Sequence, residues 1–276
     1  MNDSTLLSIR EFAKMAGMQQ SALRYYDKIG LFKPEARGEN NYRYYTPLQL
    51  ITIKFITVLA DLGVPLTKIK DMTDNRTPES VIDLLTRQEM KLDRQMHQLR
   101  IAYSIIHTYR NNIQNGLLAN ENYIRVEEID EAEELYIVLG PDNDFSDKDT
   151  FYEPFIDFCD ASKANRINLN YPIGGYHHDM DSFLQAPGKP NKFYSLDPFG
   201  ASKIPAGRYL AGHYRGYYGE FGDLPQRMAS YARENGLAFK GAVYVLYLLD
   251  EVCTVNPDQY LARVWAGVTS AKSLVT

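Results

Sequence analysis

The sequence predicts a multi-domain protein of α and α+β class, in which the N-terminal part is α and the C-terminal domain is α+β. It consists of an N-terminal winged helix-turn-helix, a long coiled-coil helix and a C-terminal α+β domain. Three observations carry this prediction: a pair of short helical segments with a strand-like hairpin after them, a seven-residue apolar repeat, and a strand-rich second half. The 276 residues exceed the usual size of one domain. We expect domains at residues 1–75, 76–118 and 119–276.

The first helix has clear start and stop signals. Ser8 and Glu11 have the spacing of a capping box, and Gly17 suits the left-handed residue that ends a helix. A second helix follows from about Gln19 to Lys28 and stops at Gly30. Two short helices joined by a tight turn with a glycine have the outline of a helix-turn-helix.

The second helix has a polar face that could contact nucleic acid. The residues that share it at three-to-four spacing are Gln20, Ser21, Arg24, Tyr25 and Lys28. Tyr26 falls on the other side and is expected to belong partly to the core. A basic helix face can also be merely solvated. Residues 1–76 are only mildly basic, with eleven Lys/Arg against eight Asp/Glu, whereas residues 121–276 have fourteen against twenty-three.

A hairpin and two more helices complete the predicted winged domain. Gly38–Asn41 suits a hairpin tip, and Tyr42–Tyr45 suits the returning strand. Thr46 and Gln49 then form a second capping box, with proline at the first helical position, and Gly63 ends this third helix. A short fourth helix restarts at Val64–Leu66 and runs through about Thr73.

The next helix is long and carries an apolar stripe. Five residues lie seven positions apart along it: Leu85, Leu92, Leu99, Ile106 and Ile113. A strict seven-residue repeat over this length indicates a coiled-coil seam. The stripe could alternatively pack against the C-terminal part of the same chain. An isolated helix of this length is not stable in water, and we therefore predict a homodimer.

Strands dominate after residue 119. We predict them at Tyr136–Leu139, Gly174–His178, Arg208–Arg215, Ala242–Leu249 and Tyr260–Val268. Helices are expected around Tyr152–Ala161 and Leu224–Asn235. This mixture is typical of an α+β domain.

Composition argues against several classes of protein. Cys159 and Cys253 lack the spacing of a zinc site or a disulfide framework, so a reducing cytoplasm is expected. The N-terminus lacks the pattern of a signal peptide, and no apolar run is long enough to span a membrane. We expect neither a metal nor a cofactor.

The first 75 residues resemble the MerR family of bacterial transcription regulators. The resemblance rests on SIREFAKMAGM, ALRYYDKIGLFKP, NYRYYTPLQL and ITVLADLGVPLTKIKDM, in this order and followed by the long helix. It implies an antiparallel coiled-coil dimer on promoters with an overlong spacer. Such a dimer distorts the DNA so that RNA polymerase engages both promoter elements when an effector is bound.

The resemblance also implies which side chains contact DNA. They are Arg24 and Tyr25 on the second helix, Tyr42 and Arg43 on the wing, and, as weaker candidates, Lys28 and Lys33. In some relatives a lysine at the place of Ala60 touches the DNA backbone, and its absence here removes one expected phosphate contact.

The last 155 residues resemble the GyrI-like effector-binding domain of BmrR-type multidrug sensors. The matching stretches are IPAGRYLAGHYRG, LPQRMASYARENGL and NPDQYLARVWAGV. The resemblance implies a cleft for hydrophobic, often cationic, small molecules. Residues 121–276 hold fourteen Tyr, nine Phe and Trp265. Aromatic faces attract lipophilic cations, although many of these rings are expected simply to fill the core.

Our candidate effector-binding residues come from this aromatic set. They are Tyr152, Tyr171, Phe221, Tyr247, Tyr260 and Trp265. Where BmrR-like proteins carry a buried glutamate that pairs with the drug, this sequence has Val245. Three alternatives follow: another acid such as Asp258 or Glu220 supplies the charge, ring contacts suffice, or the effector is not cationic.

Other classes of function would each require particular residues. Metal-sensing relatives use cysteines or histidines near the end of the long helix, and residues 111–122 contain neither. Some GyrI-like domains are hydrolytic, and Glu220, His213, His177 and His178 could be acid–base groups in a hydrolase fused to a DNA-binding domain. No nucleophile motif accompanies them, and adjacent histidines on a strand face opposite sides. A purely architectural DNA-binding protein would not explain the large aromatic domain.

Overall fold

A computed structural model describes residues 6–130, 135–145 and 152–271. The chain forms two compact units, Met1–Met96 and His97–Thr276. Our expected domain borders after residues 75 and 118 remain a prediction. Among the described residues, no helix is both long enough and apolar enough to cross a membrane.

Unit 1 contains the predicted winged helix-turn-helix. Its elements are β1 (Leu7–Ser8), α1 (Ile9–Ala16), α2 (Gln20–Lys28), β2 (Ala36–Arg37), β3 (Arg43–Tyr45), α3 (Gln49–Asp61) and α4 (Leu66–Asp74). The short strands form one antiparallel sheet in the order β1-β3-β2. Ser8 and Glu11 form the predicted capping box, and Gly17 ends α1 in the left-handed region at φ 70°.

The helix α3 begins at Gln49, two residues later than predicted. Residues 46–48 form tight turns, in which the Gln49 and Leu50 amides donate to the Thr46 and Pro47 carbonyls. The Gln49 side chain nevertheless accepts a hydrogen bond from the Thr46 amide at 2.9 Å, as in a capping box. One of the two hydrogen bonds of the predicted capping box is therefore present, whereas the N-cap is Leu48 and not Thr46.

Three aromatic rings join the helices of unit 1 to its wing. Phe12 of α1 stacks on Tyr45 of β3 with ring centroids 4.5 Å apart, and Phe32 stacks on both at 5.9 and 5.7 Å. All three are buried. Tyr26 is half-buried and packs against the same core, which confirms its partly structural role.

The helix α5 (Pro78–Leu118) is 41 residues long. It begins with reciprocal contacts in which the Ser80 amide donates to the Thr77 hydroxyl and the Thr77 amide to the Ser80 hydroxyl. Along the seven-residue stripe Leu99 and Ile106 are 69% and 68% exposed. These two residues do not pack within their own chain, contrary to the alternative considered above.

Unit 2 is built on one eight-stranded sheet with helices. Its elements after α5 are β4 (Ile124–Ile129), β5 (Leu135–Asp142), α6 (Tyr152–Ala161), β6 (Ile173–His177), α7 (Met180–Gln185), β7 (Lys192–Ser195), β8 (Ser202–Ile204), β9 (Gly207–Arg215), α8 (Leu224–Glu234), β10 (Leu237–Leu249) and β11 (Leu261–Ser270). The strand order is β4-β9-β11-β10-β6-β7-β5-β8. All predicted strands and helices are present, whereas β4, β7, β8 and α7 were not predicted.

The two faces of this sheet have separate cores. In the antiparallel pair of β10 and β11, Val245 lies opposite Val264, and Tyr244 lies opposite Trp265. Cross-strand partners share a face, and neighbours along a strand do not. Val245 and Val264 accordingly pack with residues of α7 and α8, and Tyr244 and Trp265 pack on the other side.

Candidate functional sites

The predicted DNA-contacting residues lie on α2, on the loop after it and on the wing. Four of them are exposed on α2 and the loop: Ser21, Arg24, Lys28 and Lys33. Tyr25 is 51% exposed and Tyr42 of the wing 39%, which is unusual for tyrosine side chains that serve packing alone. Gln20 is half-buried.

Arg43 has a second role that the sequence did not indicate. Its Nε donates to the Asp27 carboxylate at 2.6 Å, and Nη2 of Arg37 donates to the same oxygen at 2.6 Å. The Asp27 side chain is 5% exposed, so this carboxylate joins both wing strands to α2 in a largely buried site. Arg43 therefore positions the wing, and any contact with DNA is additional.

Unit 2 contains an aromatic cavity of about 280 Å³. Four of our candidates line it: Tyr152, Tyr171, Phe221 and Tyr247. Further rings come from Tyr109, Phe155, Phe193, Tyr217 and Tyr218. Val245 also lines the cavity, at 4% exposure, so the position at which relatives are expected to carry a glutamate is apolar here.

Two carboxylates line the cavity instead. They belong to Asp250 and Glu251, directly after β10. Burial and the neighbouring Glu251 raise the pKa of Asp250, although its carboxylate accepts a hydrogen bond from the Val252 amide at 2.9 Å. Among the described lining residues, none is lysine or arginine. The acids in the cavity are therefore neither Asp258 nor Glu220.

Tyrosine hydroxyls in the cavity wall form hydrogen bonds with neighbouring residues. The Tyr247 hydroxyl donates to the Tyr217 carbonyl at 3.0 Å and accepts from the Gly219 amide at 2.9 Å. The Tyr171 hydroxyl lies 2.5 Å from Ser104 Oγ on α5. Because the Ser104 hydroxyl donates to the Ile101 carbonyl, Tyr171 is the donor of this pair.

Three of our predicted effector-binding residues do not line this cavity. Trp265 lies on the opposite face of the sheet, where the Arg263 guanidinium stacks over its ring at 4.4 Å. Tyr260 is buried against Tyr217 and Tyr218, behind the lining residues. Asp258 is exposed on a short turn of 3-10 helix, Pro257–Gln259. These three residues therefore lie outside the lining of this cavity, and their part in effector binding stays a prediction.

Several lining residues were missed for identifiable reasons. Asp250 and Glu251 directly follow a predicted strand, and this position at the strand end is the sequence feature from which they could have been predicted. Tyr109 belongs to α5, which was interpreted only through its seven-residue apolar repeat. Tyr217 and Tyr218 lie in a loop, and no periodicity predicts where loop side chains point.

The groups considered for acid–base chemistry are not brought together. His177 is fully buried beside the cavity, and the His178 side chain is 53% exposed, so the adjacent histidines do face opposite sides. His213 pairs in register with Arg263, on the Trp265 face of the sheet. Glu220 is exposed and accepts a hydrogen bond from the Tyr217 amide. No group of three or more possible metal ligands occurs within the described parts of the chain.

Comparison with known proteins identifies the family. Residues 7–76 match the model of the MerR HTH family of regulatory proteins. An uncharacterised HTH-type transcriptional regulator of Pseudomonas aeruginosa is 30% identical over 98 residues, which are 34% of this chain and 74% of that protein. The chain belongs to the MerR family. The matched range contains α2 and the wing, so the chain is a transcription regulator with a DNA-binding N-terminal domain.

Two relatives are similar over nearly the full length of this MerR-family chain. The multidrug-efflux transporter 2 regulator of Bacillus subtilis is 25% identical over 259 residues, 92% of this chain and 93% of that protein. The multidrug-efflux transporter 1 regulator of the same organism is 28% identical over 268 residues, 92% and 94% respectively. The similarity therefore includes unit 2 as well as the DNA-binding part.

Proposed function

We propose that this MerR-family regulator binds a near-palindromic promoter as a homodimer and activates transcription by RNA polymerase when a hydrophobic cation binds unit 2. The observation that carries the proposal is the cavity, in which nine tyrosine and phenylalanine rings accompany two carboxylates and no basic residue among the described lining. The similarity to two multidrug-efflux regulators supports the same role.

The chemistry of the cavity favours a flat or bulky aromatic cation. Each well-placed ring attracts a cation by about 0.5–2 kcal/mol, and apolar burial adds about 25 cal/mol per Å². Burial and a like charge disfavour the ionised form of Asp250, as its raised pKa shows. The positive charge of a bound cation would favour the ionised form and so offset both effects.

Dimerisation sets the spacing between the two sets of DNA-binding residues. A two-fold dimer places two recognition helices in successive major grooves, so the operator is expected to be near-palindromic. Contacts at both ends can bend or untwist the centre at a cost of about 1–6 kcal/mol. An effector that favours one dimer geometry by a few kcal/mol can therefore switch the promoter.

The cavity has a direct connection to α5. Tyr109 of that helix lines the cavity, and Tyr171 in the wall donates a hydrogen bond to Ser104 of the same helix. A ligand that moves the Tyr171 ring would therefore act on the helix that carries the seven-residue stripe. We propose that this contact carries part of the effector signal to the dimer.

A regulatory role is favoured over hydrolysis. The relatives are named as regulators, and His213, Glu220 and His177 are on different surfaces of unit 2. Promoter binding as proposed would take place in the cytoplasm.

The function is tested by transcription from the operator in vitro with purified full-length protein. Tetraphenylphosphonium, neutral tetraphenylmethane derivatives of similar size and an aromatic sulfonate are added in turn. Only the cation is expected to stimulate transcription. Equal stimulation by the neutral compound or the sulfonate would contradict the proposed effector class.

Arg24→Ala is expected to weaken operator binding about tenfold or more at physiological salt. The guanidinium is exposed on α2, where it can contact a base or a phosphate. Affinity is measured by fluorescence anisotropy as a function of salt concentration. If the contact is to phosphate, the dependence on salt becomes shallower.

The matched control is Arg87→Ala on α5. The Arg87 side chain is 74% exposed and pairs with Asp83, so the variant removes the same charge from a position away from α2. Unchanged operator affinity of Arg24→Ala would show that this helix face was assigned wrongly.

Tyr171→Phe is expected to separate effector binding from activation. The variant keeps the ring in the cavity and removes the hydrogen bond to Ser104. Effector affinity, measured by isothermal titration calorimetry, should change less than about fivefold, while stimulated transcription falls. Tyr209→Phe is the control, because its buried hydroxyl donates to the Pro205 carbonyl and its ring lies outside the cavity lining. Full activation by Tyr171→Phe would exclude this route.

A further inference from the structure

His177 is a buried polar side chain whose role is not explained by the aromatic cavity alone. It is the last residue of β6, has 0% exposure and lines the cavity. Its ring meets Phe183 edge to face with centroids 5.0 Å apart, and Phe183 meets Phe221 in the same way at 5.5 Å. The imidazole therefore has a fixed orientation among rings.

Both nitrogens of this ring lack a hydrogen-bond partner among the described residues. The Pro187 carbonyl lies near enough to favour the protonated form slightly, but not in the geometry of a hydrogen bond. Burial dominates and lowers the pKa of His177 to about 4. Near neutral pH the imidazole is uncharged and offers one N–H donor and one nitrogen acceptor.

A buried polar group without a partner is unfavourable, so the unpaired imidazole calls for an explanation. Metal binding has no support at His177, since the described chain brings no set of ligands together. The described lining contains no serine, threonine or cysteine that His177 could activate as a general base. A ligand in the cavity is the remaining partner.

The position of His177 relative to the carboxylates indicates the shape of that ligand. His177 pairs in register with Val243 of β10, and Asp250 follows seven residues later along the same strand direction. At about 3.3 Å per residue the two backbone positions lie roughly 20 Å apart. The imidazole and the carboxylates are therefore toward opposite ends of the cavity.

We infer that His177 determines specificity by a hydrogen bond to the effector, and that preferred effectors are elongated aromatic cations with a neutral hydrogen-bonding group far from the positive charge. This inference rests on the proposed function, because it assigns the ligand to the same cavity. It adds that two cations of equal charge and similar size are distinguished by a carbonyl, amide or hydroxyl group at one end.

The test compares two cationic probes that differ only in the group at the end far from the positive charge. One is N-methyl styrylpyridinium, and the other carries a carboxamide on the ring far from the pyridinium, which can satisfy either nitrogen of the imidazole. Both are titrated into the full-length protein and into His177→Phe, His177→Gln and His178→Phe. The last variant makes the same replacement at the exposed neighbouring residue.

The wild-type protein is expected to bind the carboxamide roughly 3- to 10-fold more tightly than the unsubstituted cation. His177→Phe should remove this preference and still bind the unsubstituted cation, which also shows that the variant is folded. His177→Gln should retain part of the preference, and His178→Phe all of it.

Equal affinity of the wild-type protein for the two probes would overturn the inference and leave the proposed function intact. An undiminished preference in His177→Phe would do the same. If the wild-type protein bound neither cation, the proposed function itself would fall, and the inference with it.

Discussion

Replacing Leu99 and Ile106 together with aspartate is expected to abolish operator binding. Both side chains are more than two-thirds exposed in the single chain, so the substitutions remove no contact within unit 2. In a dimer seam they would bury four carboxylates, at a cost of several kcal/mol for each unpaired charge. We expect dimer affinity, and with it operator affinity, to fall by a factor of at least about 100.

The control for this prediction is the pair Met90→Asp and His97→Asp. These positions are also exposed and seven residues apart, and each lies nine residues before Leu99 or Ile106. At about 100° per residue, nine residues correspond to the opposite side of the helix. Sedimentation of the Leu99/Ile106 variant as an unchanged dimer would show that the seven-residue stripe is not the dimer seam.

Unit 1 could be predicted almost completely because its signals are local. Capping residues, a glycine at a left-handed position and a hairpin tip act over three or four residues, which a sequence shows directly. Asp27 is the exception. Its partners Arg37 and Arg43 lie ten and sixteen residues away, and only the folded wing brings them to one carboxylate.

The cavity in unit 2 was harder to predict because it depends on strand register. Val243, Val245 and Tyr247 alternate along β10 and share one face of the sheet in the structure. The face on which Trp265 lies depends on the register in which β11 pairs with β10. Residues 250–260 between these two strands form an irregular loop, so the loop sequence does not indicate that register. A shift of one residue in register moves every side chain of a strand to the other face.

The missed acids illustrate the same difficulty. We considered Asp258 and Glu220 as replacements for the expected glutamate. In the folded chain Asp250 and Glu251 are the acids among the described lining residues. They directly follow the strand that carries Val245, so the negative charge lies just beyond the end of β10 in this chain.

Asp250→Asn combined with Glu251→Gln is accordingly expected to weaken binding of tetraphenylphosphonium roughly 10- to 100-fold. Two unit charges about 6 Å apart interact by about 2–3 kcal/mol at an effective dielectric constant near 20, and partial solvent exposure reduces this value. The amides keep the shape of the carboxylates, so a neutral hydrophobe of similar size should bind both proteins equally. Calorimetric titration with the cation and the neutral compound separates charge from packing.

Two further variants make this prediction specific to position. Asp258→Asn and Glu220→Gln each remove one charge from an exposed residue outside the described cavity lining. Combined, they remove as many charges as the Asp250/Glu251 variant, so general electrostatic attraction by an acidic protein would be weakened equally by the two pairs. We expect the cation to bind these controls as it binds the parent protein. If they lose as much affinity as the Asp250/Glu251 variant, long-range charge and not the cavity attracts the ligand. If the Asp250/Glu251 variant loses none, the nine rings alone account for binding, and charge has no part in recognition of the effector.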